Sequence, residues 1–402
     1  MTSILSEPGA PSAAAGFVPL SVPEIRGNEW AYVKECLDTG WVSSAGAFVE
    51  RFEREMARVS GADHAVATAS GTAALHVALA VAGVRPDDEV LVSALTFIAP
   101  ANAIRYLGAW PVFIDAEPAH WQMDGRRVRD FLADGCVRRD GALRNRETGR
   151  RLAAILPVHI LGHPVDLDPI LDLAREHGLP VVEDATESLG ASCRGRPVGQ
   201  LGDVACYSFN GNKLITTGGG GMLVTRHEAW ARRARYLTTQ AKDDAIEYVH
   251  HEVGYNYRLT NLQAAMGVAQ LEGLADFLAA KRRIAERYTA ALRDVPGLAP
   301  MREAEWARSA WWMYTIGVDE AVFGRDSRAL MRALDARGIQ TRPLWQPLHR
   351  SPAHAGSPVA SCPVADELNR VALSLPCSVG LPAADQERVI EALRGLAGGR
   401  AA

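Results

Sequence analysis

Apolar positions change their rhythm along this chain. Between Glu29 and Gly40 they recur as Trp30, Val33, Cys36 and Leu37, a helical spacing that Gly40 brings to a stop, and a second helical stretch runs from Ala47 to Val59. From His64 onward short apolar runs alternate with helical ones. Strands are predicted over 64–69 (HAVATA), 89–93, 111–115, 152–159, 179–184, 204–209 and 221–225, with helices over 71–83, 100–107, 169–177 and 228–237 between them. The strands are apolar throughout rather than alternating, as expected of a mainly parallel sheet covered on both faces. The predicted fold class is therefore α/β, in which ligands bind beyond the carboxyl ends of the strands.

Two segments depart from that rhythm. Asp134 to Arg151 is polar and charged and reads as an exposed hairpin inserted before a strand. Near Asn261 a long amphipathic helix begins and leads into Lys281 to Leu292; beyond it 311–318 reads as a strand, and 327–337 and 385–396 as helices. These features divide the chain into a flexible Ala/Pro/Ser/Gly leader over 1–16, a large α/β domain over 17–269 and a smaller C-terminal α+β domain over 270–402.

Composition narrows the function. Of 402 residues, 48% are hydrophobic and 22% charged, which excludes a disordered or fibrous chain. Lys plus Arg number 43 against 47 Asp plus Glu, a net charge of -4, so the concentrated cationic face that nucleic acid requires is missing. Six cysteines lie far apart with no C-x-x-C pair, the pattern of reduced thiols in cytoplasm. The first twenty residues do not read as a signal peptide, and no apolar stretch is long enough to span a membrane; a cytoplasmic protein is expected.

Three features carry chemistry. Lys213 follows the strand that ends at Ser208-Phe209 and precedes four glycines, Gly218 to Gly221, where a bulky ligand could approach the backbone closely; the alternative is a surface lysine beside a turn. Asp184 closes an apolar strand at its carboxyl end, suited to a ligand cation or to capping the next segment. Ser70-Gly71-Thr72-Ala73 opens a helix, where free N–H groups and the helix dipole favour a phosphate. An amine, a carboxylate for a pyridinium nitrogen and a phosphate cup are together what pyridoxal phosphate requires. About 110 residues separate cup from acid and 29 separate acid from lysine, the order of fold-type I enzymes that use this cofactor.

From about Pro19 to the C-terminus the chain resembles the DegT/DnrJ/StrS family of sugar aminotransferases. The resemblance rests on Gly40-Trp-Val-Ser-Ser, Ser70-Gly-Thr-Ala-Ala-Leu, Thr96-Phe-Ile-Ala-Pro-Ala-Asn, Glu183-Asp-Ala-Thr-Glu, Ser208-Phe-Asn-Gly-Asn-Lys, Gly254-Tyr-Asn-Tyr-Arg and Pro347-Leu-His. It implies Lys213 as the Schiff-base lysine and Asp184 as the partner of the ring nitrogen. Thr72 and Ala73, with Gly71 before them, and the Ser208 hydroxyl would hold the phosphate, and Phe97 would lie against the ring. Glu187 stands beside the ring hydroxyl where the family more often has Gln or His. Asn256 would reach the phosphate of a neighbouring subunit, implying a homodimer with shared active sites. Trp41, Arg258, Trp345 and His349 are candidate substrate contacts, each with packing or an interface role as the alternative.

Asp184-Ala-Thr-Glu187-Ser-Leu-Gly resembles the branch that aminates C4 of 4-keto-6-deoxy sugars, and the motifs around Asn28 to Ser44 and Phe209 to Met222 resemble the legionaminic-acid (LegC-type) subgroup. The implied substrate is a UDP-linked 4-keto-6-deoxy-N-acetylhexosamine with L-glutamate as amino donor. Amination at C3 and a non-catalytic accessory role are the alternatives, because the cofactor machinery does not select the ketone. No metal is expected: His159 and His163 form an H-x3-H pair, but Gly162 and Pro164 deny them a common helical face.

Overall fold

The computed structural model describes residues 16–244 and 246–398; apart from Gly16, the leader expected over 1–16 lies outside the described residues. Seven strands form the central sheet: β1 (His64–Thr68), β2 (Glu89–Ser93), β3 (Trp110–Ile114), β4 (Leu152–Leu156), β5 (Val182–Asp184), β6 (Val204–Ser208) and β7 (Gly221–Thr225). Parallel pairing joins β3, β2 and β4 on one side and β5 and β6 on the other. Parallel bridges Ile155–Val181 and Val158–Asp184 connect the two halves, giving the order β1-β7-β6-β5-β4-β2-β3. Only β7 is antiparallel to its neighbours, β1 and β6. The strands are buried almost throughout, which is why they read as unbroken apolar runs.

Helix Gly71–Val81 is apolar on every side because it is buried: eight of its residues are enclosed between the sheet and neighbouring helices. The long helix expected from Asn261 is two, Asn261–Glu272 and Leu274–Leu292, separated at Gly273. The first opens with a reciprocal cap between Thr260 and Gln263 and packs on helices Glu29–Thr39 and Ala47–Ser60. The polar segment before β4 is a hairpin, Cys136–Arg139 with Ala142–Asn145, tied down where Asn145 and Thr148 donate to the buried Glu89 carboxylate at 2.8 and 2.6 Å.

The C-terminal sheet has the antiparallel order Leu298–Pro300, Tyr314–Val318, Ala372–Leu375, Arg342–Pro343. Its second strand begins at Tyr314 rather than at Trp311 as the apolar run suggests, because the chain turns at Trp311, whose φ is +51°. Residues 17–22, read from the sequence with the large domain, bond to the segments that border this sheet. Val18 bridges Ile339, the Leu20 carbonyl accepts from Cys377 N–H at 2.8 Å, and Val22 N–H donates to Ser378 Oγ at 3.0 Å.

Phe52 is wholly buried, its ring tilted 56° to that of Phe209 with centroids 4.9 Å apart, and fills the space over Gly267 on helix Asn261–Glu272. A Cβ at Gly267 would stand 2.6 Å from Phe52 Cζ. Gly→Ala in a helix otherwise gains roughly 1 kcal/mol. Here Gly267→Ala is expected to destabilise by about 1–3 kcal/mol through overpacking, read from the midpoint of urea unfolding.

Candidate active site

Between β6 and β7 the chain makes an excursion that carries Lys213. It is closed at its base, where Phe209 N–H donates to Gly220 O at 2.9 Å and Thr217 N–H donates to Phe209 O at 2.9 Å. Gln263 Nε2 holds Gly219 O at 2.9 Å, and Gln270 Oε1 accepts Thr216 N–H at 3.1 Å. The glycine run serves geometry as much as access: Gly220 has φ +137°, and a Cβ on Gly221 would stand 2.4 Å from the Ser70 carbonyl oxygen. Strand β7 therefore passes directly beneath the start of helix Gly71–Val81.

Lys213 projects into a cavity of about 280 Å³ at the carboxyl ends of the strands, lined among others by Gly71, Thr72, Phe97, Glu187, Ser208 and Trp345. Its Nζ lies 3.3 Å from Glu187 Oε1 and 4.1 Å from the centre of the Trp312 ring. Glu187 is buried, and its other oxygen accepts Leu161 N–H at 2.8 Å. Burial pushes its carboxyl above the ordinary range, against the pull of the Lys213 ammonium.

Asp184 ends β5 just behind this cavity. One oxygen accepts Thr186 N–H at 3.1 Å, and no described residue donates to the other. Burial pushes this carboxyl up as well, opposed by Thr186 and by Lys213. A buried carboxylate with a free oxygen fits a protonated ring nitrogen. The adjacent Glu183 is fully engaged on the other face of the strand: it accepts N–H groups from Gly199, Leu201 and Gly202 and contacts His159 Nε2 at 3.1 Å.

The helix start fits a phosphate, with one revision. Ser70 Oγ accepts Ala73 N–H at 3.0 Å, so Ala73 is already engaged as a cap, and the unpartnered donors are the Gly71 and Thr72 N–H groups. Ser208 lies against them: a Cβ on Gly71 would stand 3.1 Å from Ser208 Oγ. Phe97 is 56% exposed at the cavity mouth, an aromatic face free to cover a flat ring.

The other sequence candidates divide. Trp345 lines the cavity; Trp41, Arg258, His349 and Asn256 do not. Arg258 is engaged by Glu53, which also takes Arg235. His349 Nε2 lies 3.1 Å from Asp366, and Trp41 is 60% exposed with its carbonyl bonded to Asn261. Asn256 is exposed on the strand-like segment that bridges Thr239. The His159 and His163 rings are both in use: Val165 N–H donates to His159 Nδ1, and Ala304 N–H donates to His163 Nε2. Burial lowers His163 to about 4. Sequence reasoning missed Thr186, Asn210, Asn212 and Trp312 on the cavity wall; the first three stand inside the motifs quoted above, whereas Trp312 had no signal beyond an apolar run.

A carboxyl raised by folding stabilises the protein below its unfolded value, near 4, and loses that contribution as pH rises through the folded value. Asp184→Asn keeps the acceptor for Thr186 and removes the charge. In cofactor-free protein its stability relative to wild type is expected to rise as pH climbs from about 4 and then level off. Melting temperatures of both proteins across pH check this, and a pH-independent difference would contradict it.

The sequence pattern of the DegT/DnrJ/EryC1/StrS aminotransferase family matches residues 23–394. The chain is 40% identical to a GDP-perosamine synthase of Caulobacter vibrioides over 94% of its length and 97% of the relative's. It is 35% identical to a GDP-perosamine synthase of Escherichia coli O157:H7, over 93% and 96% respectively. Among solved structures, S. venezuelae DesV superposes with a TM-score of 0.83 at 34% identity, covering 93% of this chain and 95% of that one. Fold, sequence pattern and the lysine–carboxyl–helix constellation agree: this is a pyridoxal-phosphate-dependent sugar-nucleotide aminotransferase of fold type I, and the chain belongs to the DegT/DnrJ/EryC1/StrS aminotransferase family.

Proposed function

We propose that the protein transfers the amino group of L-glutamate to C4 of a nucleotide-linked 4-keto-6-deoxy sugar, with Lys213 as the amine that bonds the cofactor. The observation that carries this reading is the convergence of Lys213, Glu187, Ser208 and the Gly71–Thr72 donors on one cavity at the strand ends, with Asp184 buried behind it. Amination at C4 is supported by the relatives whose product is a GDP-linked 4-amino sugar. Their names favour a GDP-linked hexose over the UDP-linked N-acetylhexosamine of the LegC-type resemblance, so GDP is our first choice of nucleotide.

Pyridoxal phosphate, when bound, supplies an aldehyde that condenses with amines and a ring that accepts electrons. The chain supplies the rest. Asp184 keeps a proton on the ring nitrogen through its free oxygen. Gly71, Thr72 and Ser208 hold the phosphate, and Phe97 covers the ring. Lys213 Nζ would bond the cofactor and, when free, would be the base that takes a proton from the bound amino acid and returns one to the sugar carbon. Glu187 holds Nζ on that path.

The test is a visible spectrum of the reconstituted protein, followed by addition of glutamate and then of keto-sugar nucleotides. Wild type is expected to show the band of lysine-bound cofactor and lose it with glutamate. A GDP-linked 4-keto-6-deoxyhexose is expected to restore it, with mass and NMR spectra placing nitrogen on C4. Lys213→Ala is expected to show no such band and to lose at least 1,000-fold in turnover, roughly 4 kcal/mol. Restoration only by the UDP-linked N-acetyl sugar would move the substrate to the LegC-type reading, and nitrogen on C3 would refute the position.

The same reading makes the protein a cytoplasmic homodimer with shared sites. All six cysteines are unpaired and buried, as suits reduced thiols. Asn256 is exposed and does not line its own cavity, and large apolar side chains stand in solvent, among them Trp30 at 77% and Val253 at 82% exposure. Mixing Lys213→Ala with Asn256→Ala subunits is expected to regain about a quarter of wild-type activity, since half the dimers are hybrids with one intact site. No recovery on subunit exchange would refute site sharing.

A further inference from the structure

Lys281 is an anomaly. It is 2% exposed on helix Leu274–Leu292, and among the described residues no carboxylate pairs with it. Its ammonium donates to the carbonyl oxygen of Trp312 at 2.8 Å and to that of Cys377, with Cys377 Sγ at 3.6 Å. Burying an ammonium on carbonyl dipoles alone is expensive, and an apolar side chain would fill the same space at lower cost. What the ammonium accomplishes is to fix the backbone of Trp312.

Trp312 is itself 4% exposed, and its position is determined from three directions. Its indole N–H donates to Asn212 O at 2.7 Å, one residue from Lys213. Its ring face covers Lys213 Nζ at 4.1 Å, within the range of a cation–π contact. Its turn is locked to the loop at 160–162: Ala310 N–H donates to Gly162 O at 2.9 Å, and a Cβ on Gly162 would stand 2.6 Å from Trp312 N. Leu161 in that loop, at φ +62°, presents the N–H that holds Glu187. Both neighbours of the Lys213 amine, the indole face and the Glu187 carboxylate, are thus set by one contact between two strained turns.

We propose that Trp312 is a positioning residue that holds the Lys213 amine whenever it is not bonded to the cofactor, and that Lys281 fixes Trp312 from the side of the C-terminal sheet. The inference rests on the reading of Lys213 as the cofactor-bonding amine. A freed lysine must return to the same carbon in every half-reaction, and an amine left to wander among rotamers does so more slowly. The indole face together with Glu187 supplies the resting position.

The experiment compares Trp312→Phe, Trp312→Leu and Lys281→Met, each checked for wild-type circular dichroism, with Trp312→Met replacing the leucine variant if that one does not fold. In cofactor-free protein, acylation of Lys213 by an amine-directed reagent is followed by peptide mass spectrometry. Trp312→Leu is expected to label about fivefold faster and Trp312→Phe within about twofold of wild type, because a phenyl face remains. In the reconstituted enzyme Trp312→Leu is expected to lose about tenfold in kcat with KM within about twofold, the signature of an interaction absent from ground-state binding. Lys281→Met touches neither Lys213 nor the cavity and is expected to raise labelling as well. Wild-type labelling in Trp312→Leu, or a loss confined to KM, overturns the positioning role; wild-type labelling in Lys281→Met removes Lys281 from it. Persistence of the lysine-bound band in Lys213→Ala would instead refute the reading beneath.

Discussion

Two adjacent carboxyls at the end of a buried strand must each find polar partners away from water, and much of this molecule is arranged around that difficulty. The pleat of β5 sends Glu183 and Asp184 to opposite faces. Glu183 is stabilised by three backbone N–H groups and a histidine, which gather the 199–202 loop around it. Asp184 is left with one hydrogen bond and an unused oxygen next to the Lys213 cavity. The same strand end thus carries one carboxyl whose hydrogen bonds organise the backbone and one with room for a further partner beside the cavity.

The opposite wall of the cavity follows from close approach rather than from charge. Strand β7 can pass under helix Gly71–Val81 only without side chains at Gly221 and Gly71, since a Cβ on either would collide with Ser70 or Ser208. That contact sets the free N–H groups of Gly71 and Thr72 at a fixed spacing from Ser208 and from the Lys213 loop. The proposed phosphate cup and the Lys213 amine are thereby held on one packed unit.

Much of this was legible in the sequence, for identifiable reasons. The central strands announce themselves because a sheet covered on both faces needs continuous apolar runs, and Lys213, Asp184 and Ser208 stand where those runs end. What was illegible depends on distant partners. For Arg258 and His349 the sequence leaves substrate contact and packing equally open, and the structure pairs them with Glu53 and Asp366. Ala73 reads as a phosphate donor until Ser70 caps it. Trp312 looks like core in any apolar stretch; only the turn at Trp311 aims its ring at the lysine. The break at Gly273 and the helices Gly125–Asp134 and Pro363–Val371, framed by Asp124 and Pro363, also went unmarked by apolar periodicity.

The attachment of residues 17–22 to the border of the C-terminal sheet bears on how the chain is made. Leu20 bonds to Gln340 and Val22 to Ser378, contacts that span 320 and 356 positions. Residues made early leave the ribosome early, yet this segment has nothing to join until chain 320 and 356 positions further on has been made. The central sheet can form around β1 to β7 while translation continues. Residues 17–22 can join the border of the small sheet only once those distant partners have emerged, so residues made early are ordered late.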